Sequence, residues 1–168
     1  KAFAYCADYD MRIANYFQQN SDQHDRHFIA MHKGVTLRYG ENPHQKGYFY
    51  QDLADNDPLR LGSFTVLQGK AMSFNNLLDV SAGIETIALI GQKEPAATII
   101  KHTNPCGAAI GTDIADAFKK AWYDGDPLAA FGGTIIVNRK VSGKLAQAML
   151  SDKQSLRPGG LKKFFEIL

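Results

Sequence analysis

A lysine and a histidine stand together at the end of an apolar run, and their types suggest catalysis. Lys101 and His102 follow the run at residues 97–100, which predicts a buried strand ending at residue 101 and a turn at residues 104–107. Side chains at the carboxyl end of a strand lie where open α/β folds bind ligands. An imidazole exchanges protons near neutral pH, and an adjacent ammonium favours its neutral form and stabilises developing negative charge. The pair indicates general base catalysis, and the alternative is a solvated strand end.

The same segment also invites comparison with a metal site. Zinc deaminases carry a His-x-Glu pattern followed by Pro-Cys-x-x-Cys, and this chain has a Pro-Cys dipeptide at Pro105 and Cys106. The position two after His102 is Asn104, and the position three after Cys106 is Ala109. The catalytic acid and the second thiolate are therefore missing. Because a zinc site needs at least three protein ligands, we expect no metal here.

Three further histidines, His24, His27 and His32, have a spacing loosely like that of metal ligands. They lie in a polar stretch, residues 18–33, without nearby thiolates. We interpret this stretch as a solvated surface connection, and it is the best candidate for a linker.

A second polar segment surrounds Gly40 and Pro43, which favour an irregular turn. Arg38 precedes this turn and could bind a phosphate or carboxylate through its planar guanidinium. The alternative is a surface turn in which Arg38 pairs with Glu41 and Tyr39 only packs.

Two more segments, at residues 69–76 and 126–133, are ambiguous by themselves. Ser73 or Asn75 can cap a helix, and the glycine pair Gly132 and Gly133 can simply allow close packing before a strand. The patterns GxGxxG and GxxxxGK[ST] are both absent from the sequence. A standard dinucleotide or triphosphate cradle is therefore not supported.

The elements that must position these segments alternate between helical and strand-like patterns. Predicted helices lie at residues 2–17, 75–90, 114–123 and 143–150, the last two capped by Asp113 and Ser142. Predicted strands lie at residues 48–50, 64–67, 97–101 and 133–138. Residues 161–168 are interpreted as a helical end. Such alternation favours a layered α/β domain with at least partly parallel strands.

Composition excludes several classes of protein. The 168 residues are 45 % hydrophobic and 21 % charged, as in a soluble globular protein rather than a disordered one. A net charge of +2 is too small to indicate nucleic acid or an anionic membrane as a partner. Cys6 and Cys106 show no disulfide or paired-metal pattern, so free thiols and a cytoplasmic location are expected. No apolar stretch approaches the ~18 residues that would span a bilayer, and the start does not resemble a signal peptide.

Four segments together, in this order and with these separations, closely resemble the PurH family of bifunctional purine-biosynthesis enzymes. They read LRYGENPHQ, QGKAMSFNN, IIKHTNPCGAAIG and DPLAAFGGTIIVNR. The resemblance extends from residue 1 to about residue 150, and the opening KAFAYCADYDMRIANYF is similar to the helical join between the family's two domains. The family combines AICAR formyltransferase with IMP cyclohydrolase. Since its cyclohydrolase domain precedes the join, the resemblance implies that this activity is absent here.

The resemblance implies a cytidine-deaminase-like α/β fold without zinc, and formyl transfer from 10-formyltetrahydrofolate to the 5-amino group of AICAR. By motif, His102 corresponds to the general base and Lys101 to the neighbour that supports the transition state. The other matched residues contact ligands in the family: Arg38 and Tyr39 bind the nucleotide, Asn76 contacts the substrate through its amide, Gly132 through its backbone, and Phe131 lies beside the folate site.

The resemblance also predicts the organisation of the chain. Residues 1–33 are expected to form the interdomain helix and linker, residues 34–150 a partial formyltransferase domain, and residues 151–168 a divergent tail. In the family, an acidic substrate contact follows the helix that corresponds to residues 144–150, and a second half-domain and the partner subunit of a homodimer complete the site. We therefore expect negligible formyl transfer by this chain alone. The alternative to an enzyme is a noncatalytic nucleotide-binding or assembly module.

Overall fold

The computed structural model describes residues 1–18, 28–52, 57, 59–91, 93–150 and 163–168, which form a mixed α/β fold. The helices are α1 (Ala2–Gln18), α2 (Phe74–Ile90), α3 (Ile114–Tyr123) and α4 (Gly143–Leu150), with a 3-10 turn at Leu61–Ser63. The strands are β1 (Met31–Thr36), β2 (Tyr48–Asp52), β3 (Ala96–Ile100), β4 (Pro105–Ile110), β5 (Gly133–Val137) and β6 (Phe165–Ile167). Strands β1 and β2 pair with each other, and the other four form one sheet in the order β4-β3-β5-β6.

The four-stranded sheet is mixed. Strand β3 pairs antiparallel with both β4 and β5, whereas β5 pairs parallel with β6. The expectation of partly parallel strands is therefore confirmed at one pair. The β3–β4 pair is antiparallel because a short turn joins the two strands directly, and a parallel pair needs a longer crossover.

The sheet lies between two layers of helices, with β3 at its centre. Every residue of β3 is buried. Helix α2 packs on β3 and β5, while Ala97 and Ile99 of β3 join a core cluster with Phe118 of α3 and Leu145 of α4. A strand covered on both faces is largely apolar on both, and the one polar side chain of β3, Thr98, donates its hydroxyl to the Gly107 carbonyl at 3.1 Å. Strand β3 is thus held by packing on both faces, which fixes the position of the turn that follows it.

Helices α3 and α4 begin at the predicted caps Asp113 and Ser142, and α2 begins after Ser73, one of its two candidate caps. Ser73 Oγ accepts the Asn76 N–H at 3.3 Å, and Asn76 Oδ1 accepts the Ser73 N–H at 3.0 Å, which forms a capping box on α2. Asp113 accepts the Asp116 N–H at 2.8 Å, and Ser142 Oγ accepts the Leu145 N–H at 3.1 Å. These bonds satisfy backbone donors that the first helical turn leaves free.

A first prediction concerns the charge on Asp113. The hydrogen bond from Lys144 Nζ holds the pKa of Asp113 below its ordinary value of 3.8. A lowered folded-state pKa contributes stability that is present above the unfolded-state pKa and is lost as the pH falls through the folded value. Asp113→Asn keeps a capping oxygen but removes the charge, so we expect a lower urea midpoint at pH 7 and no difference near pH 2. Asp113→Ala, which also removes the cap, should lower the midpoint at both pH values. An equal loss for Asp113→Asn at both pH values would contradict the ionic origin.

Several expectations about strands are wrong. Residues 64–67 form no strand but continue irregularly from the 3-10 turn, with Leu67 93 % exposed. The turn expected at residues 104–107 lies at residues 101–104, because Pro105 begins β4, where a proline at the first position of a strand is tolerated. The polar connection does not extend to residue 33, since β1 begins at Met31. Residues 165–167 form a strand and not a helical end, because their backbone pairs with β5.

Helix α2 is placed correctly by its pattern, but its inward face differs from the predicted one. The buried residues are Asn76, Leu77, Asp79, Val80 and Gly83. The spacing of apolar and small residues in this segment instead predicts a face of Leu77, Ser81, Ile84, Ile87 and Ala88. The two faces differ because the spacing leaves out Asn76 and Asp79, whose polar side chains are buried. Both take part in the site described below.

Helix α1 confirms the predicted amphipathic segment, although none of its residues is buried. Asn15 Nδ2 donates to the Phe28 carbonyl at 2.7 Å, and Asp8 lies 3.9 Å from Nε2 of His32 on β1. His24 and His27 lie outside the described residues, as does most of the predicted tail, residues 151–162. The three-part organisation at 1–33, 34–150 and 151–168 stays a prediction.

Candidate functional site

The turn after β3 presents Lys101 and His102 at the end of the sheet. The Lys101 N–H donates to the Asn104 carbonyl at 2.9 Å, which closes the turn. Thr103 Oγ1 and Asn104 Nδ2 both donate to the His102 carbonyl, at 2.7 and 2.9 Å. His102 is exposed, and its imidazole has no hydrogen-bond partner within the described ranges. A solvated imidazole on a fixed backbone is suited to proton exchange with a bound molecule.

The segment before β5 lies against Lys101. Lys101 Nζ donates to the Phe131 carbonyl, and Gly132 adopts a φ of +77° that side chains rarely allow. A Cβ atom on Gly132 would lie 3.5 Å from Lys101 Nζ and 3.6 Å from the ring of Phe164. The structure therefore brings Lys101, Phe131 and Gly132 together, as the sequence suggests, and glycine leaves the approach to the ammonium open.

Strand β6 adds residues that the sequence reasoning missed. The Gly132 N–H donates to the Phe164 carbonyl at 2.7 Å, and the rings of Phe131 and Phe164 lie 5.4 Å apart between centroids. Glu166 Oε2 accepts a hydrogen bond from Asn76 Nδ2 at 3.0 Å. Glu166 could have been found from the acidic contact that the resemblance places after α4. It also lies in a short run, residues 164–168, in which the acid is flanked by apolar residues. The tail was interpreted as divergent instead.

The loop that carries Arg38 and Tyr39 is attached to the segment just before α2. The Arg38 N–H donates to the Met72 carbonyl at 2.9 Å, and the Phe74 N–H donates to the Tyr39 carbonyl at 3.2 Å. Asn75 Nδ2 adds a bond of 3.1 Å to the Glu41 carbonyl. These three bonds place Arg38 and Tyr39 beside the N-terminus of α2, which is also where Asn76 lies.

The side chain of Arg38 lies along its neighbour rather than along an acid. Its guanidinium carbon is 4.9 Å from the centroid of the Tyr39 ring, and Arg38 Nη2 lies 3.2 Å from Tyr39 Oη. An ion pair between Arg38 and Glu41, the alternative from the sequence, does not occur in the part of the chain that the structure describes. The exposed guanidinium can therefore receive a phosphate or carboxylate.

Asn76 connects the two groups of residues. Its side-chain oxygen Oδ1 accepts a hydrogen bond from the Ser73 N–H, and its side-chain nitrogen Nδ2 donates one to Glu166. Its side-chain oxygen therefore contacts the start of α2, to which the Arg38 loop is hydrogen-bonded. Its amide nitrogen contacts β6, and Phe164, the residue just before β6, accepts the bond from Gly132. Continuous contacts thus run from Arg38 to Lys101. The arrangement offers two cations, one carboxylate and one imidazole to a polar, anionic molecule.

Cys106 lies close to Lys101 and His102, at the start of β4. Burial, with a further contribution from the Asp126 carboxylate, raises the pKa of Cys106 above its ordinary value of 9.0. Its Sγ lies 3.6 Å from the Lys101 carbonyl. A raised pKa lowers the fraction of the thiol present as the nucleophilic thiolate. In the described ranges, no group of three or more His, Cys, Asp or Glu side chains could hold a metal ion, and no helix has the length and apolarity to cross a membrane.

The described residues form a mixed α/β domain with a cluster of polar and charged side chains at the end of its sheet. The model of the AICARFT/IMPCHase bienzyme family matches residues 1–157, and the chain belongs to this family. It is 43 % identical over 166 residues to the bifunctional purine biosynthesis protein PurH of Xylella fastidiosa, and 40 % identical over 154 residues to that of Rippkaea orientalis. These matches cover 91 % and 89 % of the chain, but only 30 % and 29 % of the relatives.

Proposed function

We propose that this segment binds AICAR and takes part in formyl transfer from 10-formyltetrahydrofolate to the AICAR 5-amino group. The observation that carries the proposal is the Lys101–His102 pair, held at the end of β3 beside Gly132 and Phe131. Family membership supports it, since the family's description combines a formyltransferase with a cyclohydrolase. The chain spans about 30 % of the length of its relatives, so the reaction is proposed for a polypeptide that contains this segment.

The chemistry of the reaction assigns roles to this pair. An aromatic amine whose lone pair is delocalised is a poor nucleophile, so attack on a formyl carbon needs proton removal and stabilisation of the tetrahedral oxyanion. The unpartnered imidazole of His102 removes the amine proton as the new C–N bond forms. When the tetrahedral intermediate collapses, the bond between the formyl carbon and the folate nitrogen breaks, and the protonated His102 returns the proton to that nitrogen, which releases tetrahydrofolate. Lys101 Nζ has three hydrogens and donates one to the Phe131 carbonyl, which leaves two for the oxyanion.

The remaining residues bind and orient the nucleotide in this proposal. Arg38 pairs with the phosphate, and the ring of Tyr39 holds the guanidinium through a cation–π contact. Asn76 and the adjacent Glu166 carboxylate bind the polar edge of the substrate, the carboxylate accepting from its N–H or O–H donors. Gly132 contributes its backbone, and Phe131 lies beside the folate. Orientation of this kind is worth several orders of magnitude in rate.

The finer features of the family are proposed with the reaction. The fold is cytidine-deaminase-like and uses no zinc, because the segment around Pro105 and Cys106 lacks the catalytic acid and the second thiolate of the zinc deaminases. The protein is a cytoplasmic homodimer whose partner subunit completes the site. The donor 10-formyltetrahydrofolate acts as a cosubstrate.

The proposal is tested with a chimaera in which residues 1–157 replace the matched part of the Xylella fastidiosa relative. We expect the chimaera to convert AICAR and 10-formyltetrahydrofolate to formyl-AICAR without bound zinc, and the 168-residue chain alone to show negligible turnover. Absorbance assays and elemental analysis of the same chelator-free sample provide both measurements. A folded chimaera that binds AICAR without turnover would favour the noncatalytic module. One zinc per chain would contradict the metal-free site.

A further inference from the structure

The side chain of Asp79 is buried on α2 with no role in the proposed chemistry. It lies three residues after Asn76, between Leu77 and Val80 on the face that packs against the sheet. A carboxylate in such surroundings is costly unless hydrogen bonds compensate it. Asp79 Oδ1 accepts one from the Thr103 N–H at 2.8 Å. The carboxylate therefore reaches from the helix to the turn that carries the catalytic pair.

Thr103 adopts a backbone conformation that its side chain disfavours. Its φ is +57°, and it is the one non-glycine residue with positive φ among those that the structure describes. A β-branched residue in this region is strained, and such strain persists only where the surroundings hold it. Glycine would adopt the same φ without a steric penalty. An external contact must therefore stabilise this turn.

Lys101, at the base of the turn, contacts the Phe131 carbonyl and Cys106 Sγ outside it, and the remaining hydrogen bonds of the turn are internal. Lys101 donates to Asn104, and the side chains of Thr103 and Asn104 donate to the His102 carbonyl. These bonds move with the turn as a unit. The Thr103 amide instead points away, toward the fixed helix α2. The bond to Asp79 is thus the polar contact that ties the tip of the turn to the body of the domain.

We propose that Asp79 is a positioning residue that holds the His102 imidazole in place through the Thr103 amide. This inference rests on the proposed function, because His102 is the residue that reacts. The carboxylate touches no reacting atom and transfers no proton. It fixes the peptide between His102 and Thr103, which sets the direction in which the imidazole leaves the backbone. Helix α2, which places Asn76 against the nucleotide, thereby also sets the position of the general base His102.

The first test uses the 168-residue chain and variants of Asp79. In Asp79→Ala, amide exchange at Thr103 measured by NMR should become about tenfold faster, as the loss of one hydrogen bond predicts, and the His102 ring signals should shift. Asp79→Asn keeps an acceptor oxygen and should restore both. Glu85→Ala removes an exposed carboxylate from the same helix and serves as the control. Unchanged exchange in Asp79→Ala, or equal damage in Asp79→Asn, would overturn the proposal.

The second test measures formyl transfer in the chimaera. Asp79→Ala should lower kcat about 10–100-fold with the KM for AICAR little changed, since a small misplacement of a reacting group costs rate rather than binding. Adding Thr103→Gly removes the backbone strain and should recover part of kcat. A merely structural Asp79 predicts no recovery, and that result would reject the positioning role. In a further outcome, the unmodified chimaera makes no formyl-AICAR while amide exchange at Thr103 still depends on Asp79. That result would reject the proposed reaction but retain the role of Asp79 in holding the turn.

Discussion

His102→Ala in the chimaera is expected to lower the single-turnover rate of formyl transfer by about 10²–10⁴-fold, the usual contribution of a general base. The turn itself should survive, because its hydrogen bonds use the His102 carbonyl and not the imidazole. AICAR binding should change little for the same reason. Single-turnover assays at saturating substrates, with thermal unfolding of the same sample, make the measurement.

A companion variant separates the two members of the pair. Lys101→Met removes the ammonium while keeping much of the apolar stem, and it should also slow the chemical step. A structural histidine would behave differently: its loss would lower stability, by about 1–3 kcal/mol, with near-normal turnover in the folded fraction. An unchanged single-turnover rate in well-folded His102→Ala would reject the assignment and leave a solvated strand end.

The largest effect on stability is expected at Gly107, in β4. A Cβ atom there would lie 1.9 Å from the carbonyl oxygen of Ala121 in α3. That atom belongs to the backbone of a buried helix, so it cannot rotate away as a flexible side chain would. Gly107→Ala must therefore shift α3 from the sheet, at a cost of about 3 kcal/mol. Urea unfolding at neutral pH measures the loss.

Gly143→Ala provides the matched control. Gly143 is the first residue of α4, and a Cβ atom there would meet nothing within 4 Å. The same chemical change should raise the free energy of unfolding by about 0.5–1 kcal/mol, because alanine loses less backbone entropy than glycine in a helix. Equal changes at the two positions would show that α3 does not approach β4 as closely as described.

Local features were predictable because their causes lie within a few residues. Ser73, Asp113 and Ser142 each accept a hydrogen bond from the backbone N–H three residues later. A serine or aspartate just before a helical pattern is enough to indicate such a cap. The apolar run of β3 and the polar pair after it were likewise recognisable. The roles of Arg38, Tyr39, Asn76, Gly132 and Phe131 came from resemblance and stay predictions.

Features that depend on distant partners were not predictable from the pattern. Residues 64–67 include aromatic and β-branched side chains but pair with no strand among the described residues. The three residues of β6 form a strand because they pair with the edge of β5. Glu166 was missed because its partner lies 90 residues earlier. Asp79 was missed because a polar residue within a helix pattern is assigned to solvent until the element facing it is known.

The bond between Asn76 and Glu166 also sets an order of events during biosynthesis. The ribosome adds residues from the N-terminus at roughly 5–20 per second, so the 90 residues that separate the two partners take roughly 5–20 s to make. During that interval the capping box between Ser73 and Asn76 can already form. The amide nitrogen of Asn76 stays hydrated until Glu166 has been synthesised. The contact between α2 and β6 therefore forms only after residue 166 has been added.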